Sequence, residues 1–380
     1  MIRFITSVFT LIIISLCPLS LTASECTKIN LSSEFNHLLK ITTCRNESFN
    51  IEKTASLIKA VSSDELKKTL QLSDGLKGLP SSYYAFNISS SLKRLLKYSY
   101  NTQIPGCAVQ PEYIRLTEWK NASPTGNNTA EFWEQLDLFK QPVIKKGTLY
   151  MQNTPDIHTG AYYGYESFKS GILLKHQGKN VFISVSKQKD ISEVGKKGFI
   201  LGEGVNRDYF YSGEPGLNKF GLGSIKSYLY DAFSVTVYVE AEPGLLKCAT
   251  FKWLKAGWAG MNMIKPEHIK KGLKRFVRQQ KSLIESDSLP SYERLVSTCA
   301  KYNTLPESEI ITLVKSNLSK LMLSCNTGTD CPKILKKDFN PDIYISRMTK
   351  EEMKASLIQR DMKKLYLSNK QKTLKLSLKN

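Results

Sequence analysis

From Val143 to about Gly260 apolar and polar residues alternate with a period of two, and a chain with such a stretch at its centre has to build a β-sheet there. Gly171-Ile172-Leu173-Leu174-Lys175 and Val181-Phe182-Ile183-Ser184-Val185 flank Gln177-Gly178-Lys179-Asn180, which predicts a hairpin with a glycine-bearing turn. Ser234–Val239 is β-branched and predicts another strand, paired with Cys248–Trp253 across Glu242-Pro243-Gly244. No strand–helix–strand alternation interrupts the stretch, so the sheet is expected to be antiparallel and a Rossmann or TIM architecture is disfavoured.

On either side the period changes to that of a helix. Residues 25–142 read as helical and loop-rich: Ser62-Ser63-Asp64-Glu65 has the form of a capping box, and Leu92, Leu95 and Leu96 share one helix face. Gly75–Ser82 and Asn121–Thr129 read as surface connections, the second as a linker. In residues 263–380 Ile269, Leu273, Phe276, Val277 and Leu283 line one face of a helix whose other faces are basic. Further helices are expected around Tyr292–Cys299, around Ile310–Leu321, and after the Thr349-Lys350-Glu351-Glu352 capping box. The predicted class is therefore α+β, a central antiparallel sheet (143–262) flanked by N-terminal and C-terminal helical regions. Trp253–Met263, with two tryptophans among small residues, reads as the seam between sheet and basic helix.

Residues 1–24 have the three parts of a secretory signal: Arg3, an apolar run from Phe4 to Leu16, and small residues Thr22-Ala23-Ser24. Cleavage near Ser24 predicts an exported protein, periplasmic or extracellular, with no transmembrane segment in the mature chain. Of eight cysteines, seven remain after Cys17 is removed, so at least one is free or pairs between chains. Cys325 and Cys331 bracket a turn-forming Asn-Thr-Gly-Thr-Asp and are expected to form a local disulfide, with Cys26–Cys44 as a second. There is no CxxC, and of only four histidines two are isolated from any partner at ligand spacing, so neither a metal nor another cofactor is expected.

Two functional readings follow from the remaining features. The chain carries 54 Lys+Arg against 34 Asp+Glu, a formal +20, and Lys265–Lys281 holds seven bases to one acid. Lys270, Lys271, Lys274, Arg275 and Arg278 are thus candidate anion-binding residues of a non-catalytic envelope or extracellular binding protein. An anionic envelope component, an acidic glycan or peripheral contact with a membrane surface suits them, whereas export disfavours nucleic acid. The alternative is a secreted hydrolase acting on glycans. Gly195–Gly223 holds eight of the 22 glycines and reads as a long irregular loop, and nine of the 18 tyrosines lie between Tyr150 and Tyr238. Tyr162, Tyr163, Tyr209, Tyr211 and Trp258 are candidates for stacking on sugar rings. Glu166, Asp208, Glu214 and Asp231, with His158, are the candidate acid–base groups, because glycoside hydrolysis needs two opposed carboxylates. No Gly-x-Ser-x-Gly elbow or Gly-Lys-Ser/Thr accompanies them, which weakens acyl transfer and nucleotide binding.

Overall fold

The computed structural model of the chain describes residues 30–63, 66, 76, 78–124, 130–201, 207–218, 224–327 and 340–377. Its architecture is α+β. Seven strands form the main sheet in the order β1 (Ser81–Ile88), β12 (Leu245–Trp258), β11 (Ser227–Glu242), β6 (Lys179–Gln188), β5 (Gly164–His176), β3 (Val143–Asn153) and β2 (Ile114–Pro124), every neighbouring pair antiparallel. The expected hairpin is β5–β6: Gln177 and Gly178 both have positive φ (50° and 77°), the mirror-image turn that matches strand twist. The expected β11–β12 pairing is present, closed at Gly244 with φ 80°.

The stretch read as helices and loops supplies both edge strands. β1 takes in Ser81 and Ser82 from a predicted connection, and β2 runs through Asn121 to Pro124, where a linker was expected. Ser81–Ile88 alternates too weakly to stand out, with three aromatics and an alanine serving two covered faces. The Gly195–Gly223 stretch also differs from expectation. Its described parts form a three-stranded sheet of β4 (Ala161–Tyr162), β7 (Lys196–Leu201) and β8 (Asp208–Pro215), plus a ribbon of β9 (Leu217–Asn218) and β10 (Ser224–Ile225). Phe199, Phe210 and Tyr211 provide the strand-forming content that the glycine count obscured.

Both faces of the main sheet are covered. On one, α1 (Ser32–Thr43) and α2 (Ala55–Ser62) pack Phe35, Leu38, Ile41, Leu57 and Ile58 against Ile172, Ile183, Val235, Val237, Phe251 and Trp253. Trp253 thus belongs to the N-terminal helix layer, edge-on to Phe35 at 4.8 Å, and not to the seam with the basic helix. The opposite face carries Phe86, Leu173, Phe182, Tyr238 and Cys248 under α3 (Leu92–Ser99), α4 (Gly106–Val109), α5 (Phe132–Gln135) and the C-terminal helices. These last are α6 (Pro266–Ile284), α7 (Tyr292–Ala300), α8 (Glu307–Thr327), α9 (Pro341–Ser346) and α10 (Lys350–Ser377). The Thr349 capping box forms as expected: Thr349 Oγ1 accepts from Glu352 N, and Glu352 Oε2 accepts from Thr349 N. The other Glu352 oxygen is 2.9 Å from Arg115 on β2, a buried ion pair that fastens α10 to the sheet.

Helix α6 shows that the sheet is curled. It packs along β1, with Lys274 over the Tyr84 ring, while Arg275 bonds the hydroxyl of Tyr113, the residue before β2, at 3.0 Å and lies 3.9 Å from Asp156 beyond β3. Six interstrand steps of about 4.8 Å would hold the outer strands of a flat sheet about 29 Å apart. Residues adjacent on α6, with Cα atoms only about 3.8 Å apart, meet β1 and the residue before β2 at once, which fits a sheet drawn round by its twist better than a flat one. The strands therefore wrap round, as right-handed twist allows, and α6 bridges the opening. The face beneath α6 is the inside of the curve.

The cysteine expectations fall mostly outside what is described. Cys26 and Cys331 lie outside the described residues, as does the Cys325 side chain, and likewise residues 1–24 and the Asp64-Glu65 half of the first capping box. Cys44 is exposed with a free thiol, and Cys107, Cys248 and Cys299 are buried thiols in the C-terminal-side core.

Candidate functional site

Strand register stacks the inner face of the curve into three rungs. The floor is apolar: Val143, Leu173, Phe182, Tyr238, Cys248 and Phe86 stand side by side on β3, β5, β6, β11, β12 and β1. Two residues along each strand comes a hydroxyl-rich rung of Lys145, Gly171, Ser184, Thr236, Thr250 and Tyr84. Two further along lies Gly147, Lys169, Ser186, Ser234, Lys252 and Ser82. Because side chains alternate across a strand, all these residues project to the same side as Phe182 and Tyr238.

The floor is built to be closed. Gly171 has to be glycine: a Cβ there would lie 2.6 Å from Phe132 and 3.1 Å from Phe182. Behind it the Tyr238 hydroxyl is 2.9 Å from that of Tyr100 and 2.9 Å from the Gln280 amide nitrogen of α6. Tyr100 also hydrogen-bonds Ser184, which ties the polar rung to this network. Thr236 and Thr250 bond one another at 3.0 Å. On the β2 side Trp119 forms a wall; its ring lies where a Cβ on Gly147 would be, and it is 41% exposed.

The upper rung holds the chemistry. Lys169 and Lys252 have neither a carboxylate nor a hydrogen-bond acceptor among the described residues. Burial first, and the charge of Lys252 second, push the Lys169 ammonium from its ordinary 10.5 down to about 8. Burial alone lowers Lys252. Yet both side chains keep solvent-accessible surface, as do Tyr100 and Tyr165, whose hydroxyls burial pushes up. Groups that touch water while protein surrounds them occupy a recess rather than a packed interior. Two like charges held there without a counter-ion are costly, so the recess is suited to an anion.

The residues singled out from the sequence lie elsewhere. Glu166 pairs with Lys189 at 2.9 Å, Asp208 with Lys363 at 2.7 Å, and Asp231 with Lys187. Glu214 is exposed on β8, and His158 sits exposed in a turn where its backbone N–H and that of Thr159 donate to Asp156. Each of the three paired acids thus has its own lysine, the arrangement of separate ion pairs rather than of an opposed carboxylate couple. Tyr162 and Tyr211 are buried edge-on at 5.1 Å, with the Arg115 guanidinium 3.9 Å from the Tyr211 ring centre, and so pack a core. Tyr163 bonds Ser227 at 3.0 Å, Tyr209 reaches the Glu112 carbonyl at 3.4 Å, and Trp258 ends β12 half-buried. On α6, Lys270, Lys271, Lys274 and Arg278 are exposed, whereas Arg275 is engaged with Tyr113 and Asp156.

Lys169 and Lys252 escaped the sequence reading because a lysine alternating with Phe168, or with Phe251 and Trp253, looks like the solvent face of a half-buried strand. The signal was the length of the flanking helical regions, enough to cover both faces. Among the described residues no group of three His, Cys, Asp or Glu side chains is placed to hold a metal, and no helix is long and apolar enough to cross a membrane. No family model matches the chain, and neither a curated protein nor a solved structure matches it.

Proposed function

We propose that this chain is an exported binding protein that holds a small organic anion in the recess between the curled sheet and α6. The observation that supports the reading is the rung carrying Lys169 and Lys252, two cations on one face with no acid paired to either among the described residues. An anion lodged between them relieves their mutual repulsion, and Ser186, Ser234 and Ser82 on the same rung offer it hydroxyl donors. Trp119 and Tyr84 suit the ligand's apolar face. The exposed Lys270, Lys271, Lys274 and Arg278 add to the positive field around the opening and draw anions toward it, so the basic helix steers and the recess binds. Residues 1–24, with the form of a secretory signal, support export.

The test is thermal unfolding in the presence of pyruvate, gluconate or inorganic phosphate, with neutral sorbitol as control. An anion that fits raises the midpoint, sorbitol does not, and a Lys169→Met/Lys252→Met variant loses the response while remaining folded. An equal response in that variant, or one removed only by charge reversal on α6, overturns the reading.

A further inference from the structure

We propose that the hollow between the last turn of α2 and the β5–β6 turn is a binding site for the phosphate group of a small phosphomonoester. It lies on the face of the sheet opposite the recess and does not rest on the reading of Lys169 and Lys252. The hollow has a volume of about 200 Å³, far above the roughly 10–15 Å³ that a single water needs. Its floor is apolar, formed by Ile58 of α2 and Val239 of β11, both buried. Its walls carry three bases and, among the described residues, no acid: Lys59 on α2, His176 at the end of β5 and Lys179 at the start of β6. Strand register fixes two of them. His176 and Lys179 are direct partners across the hairpin, with Cα atoms about 4.5–5.5 Å apart. The alternation that puts Leu174, Val181 and Val239 under the N-terminal helices puts these two side chains on that same side.

The side chains of Lys59, His176 and Lys179 have no hydrogen bond or ion pair with a described residue, so their N–H groups are left for a ligand. The last turn of α2 would oppose an anion through its bare carbonyls, but three of these are taken up. Ser62 Oγ donates to the Ile58 carbonyl at 2.8 Å, Ser63 Oγ to that of Ala60 at 3.3 Å, and Ser63 N to that of Lys59 at 3.0 Å. Two ammonium groups and an imidazole, arriving from a helix and two strands, suit a phosphate monoester, which carries close to two negative charges at neutral pH and three free oxygens. A carboxylate has one charge and two oxygens in a plane, and leaves one of the three bases unengaged. Ile58 and Val239 offer an apolar surface to the organic end of the ester.

The experiment is an NMR titration of the imidazole signals of the full-length mature protein with sn-glycerol 3-phosphate at pH 7, with acetate at matched ionic strength and glycerol as controls. The chain has four histidines, so His176→Gln assigns the signal of His176 by its loss. The expected result is a saturable shift of that signal that leaves His37, His158 and His268 in place and that neither control reproduces. Lys59→Gln/Lys179→Gln, a change of two exposed side chains that the fold tolerates, weakens the affinity read at His176 by about tenfold or more. Vesicles containing phosphatidic acid separate the two sources of a phosphomonoester. Capture of the unmodified protein but not of that variant places a lipid headgroup in the hollow, and a shift with glycerol phosphate without capture places a soluble ligand there. An unmoved His176 signal, an equal drift of all exposed imidazoles, or an affinity unchanged in the variant overturns the proposal. The unfolding test of the recess stays separate: pyruvate and gluconate report on the recess, and Lys59→Gln/Lys179→Gln removes whatever part of a phosphate response arises in this hollow.

Discussion

Replacing Lys169 with methionine, which keeps the unbranched shape and removes the charge, is expected to make the ligand-free protein more stable at neutral pH. In the folded protein this lysine titrates at about 8, against 10.5 ordinarily. Each pH unit of that interval corresponds to 1.36 kcal/mol, so the cost of holding the ammonium in the fold is about 3 kcal/mol. Water in the recess screens part of it, and about 1–3 kcal/mol is the expected gain. The pH dependence follows from the sign. Below pH 8 both folded and unfolded chains carry the proton, so the folded state bears the whole penalty. Between pH 8 and 10.5 the folded chain sheds it while the unfolded chain keeps it, and the penalty shrinks as pH rises. Urea unfolding of the unmodified protein and of Lys169→Met at pH 7 and pH 10.5 measures the difference. A gain at pH 7 that disappears at pH 10.5 is expected. A variant less stable than the parent at pH 7, or a difference equal at both pH values, would refute the unpaired-charge argument.

Three further outcomes are expected. Glu352→Gln leaves Arg115 buried without its partner and should destabilise by about 3–5 kcal/mol in urea unfolding, whereas replacing both residues with apolar ones should cost less. Gly171→Ala forces a methyl group into the rings of Phe132 and Phe182 and should cost about 1–3 kcal/mol, seen as a lowered urea midpoint with an unchanged slope. Charge reversal at Lys271, Lys274 and Arg278 should slow anion association several-fold at low ionic strength and leave dissociation unchanged in stopped-flow measurements. A faster dissociation instead would assign those side chains direct contact with the ligand.

Much of this architecture can be read from the chain before any coordinates. The β5–β6 hairpin announces itself because Gln177-Gly178 is a turn signal between two apolar runs, and the β11–β12 pair because Val235, Val237 and Val239 leave little but strand as an option. The Thr349–Glu352 cap is local, so local residues specify it. The recess was not legible, for a physical reason. Its rungs are assembled from six strands, and what makes Lys169 unusual is its alignment with Ser186, Ser234 and Lys252, a property of register that no window of sequence contains. The carboxylates looked promising one at a time, but a candidate acid differs from a surface ion pair only by its neighbour, and Lys189, Lys363 and Lys187 are neighbours through the fold. Tyrosines drew attention by number, while Tyr162 and Tyr211 serve to surround Arg115.

The pairing of β1 with β12 also constrains how the molecule comes into being. Ser81 finds its partner at Trp253, about 170 residues later, so the loop that must close is nearly half the chain. Every rung of the recess ends on β1. The recess is therefore complete only once β1 and β12 have met, a contact whose long loop makes it slower to close than the local β5–β6 hairpin. Nascent or truncated chains ending before Leu245 have no recess at all, and their unfilled strand edges are the surface a chaperone would meet first.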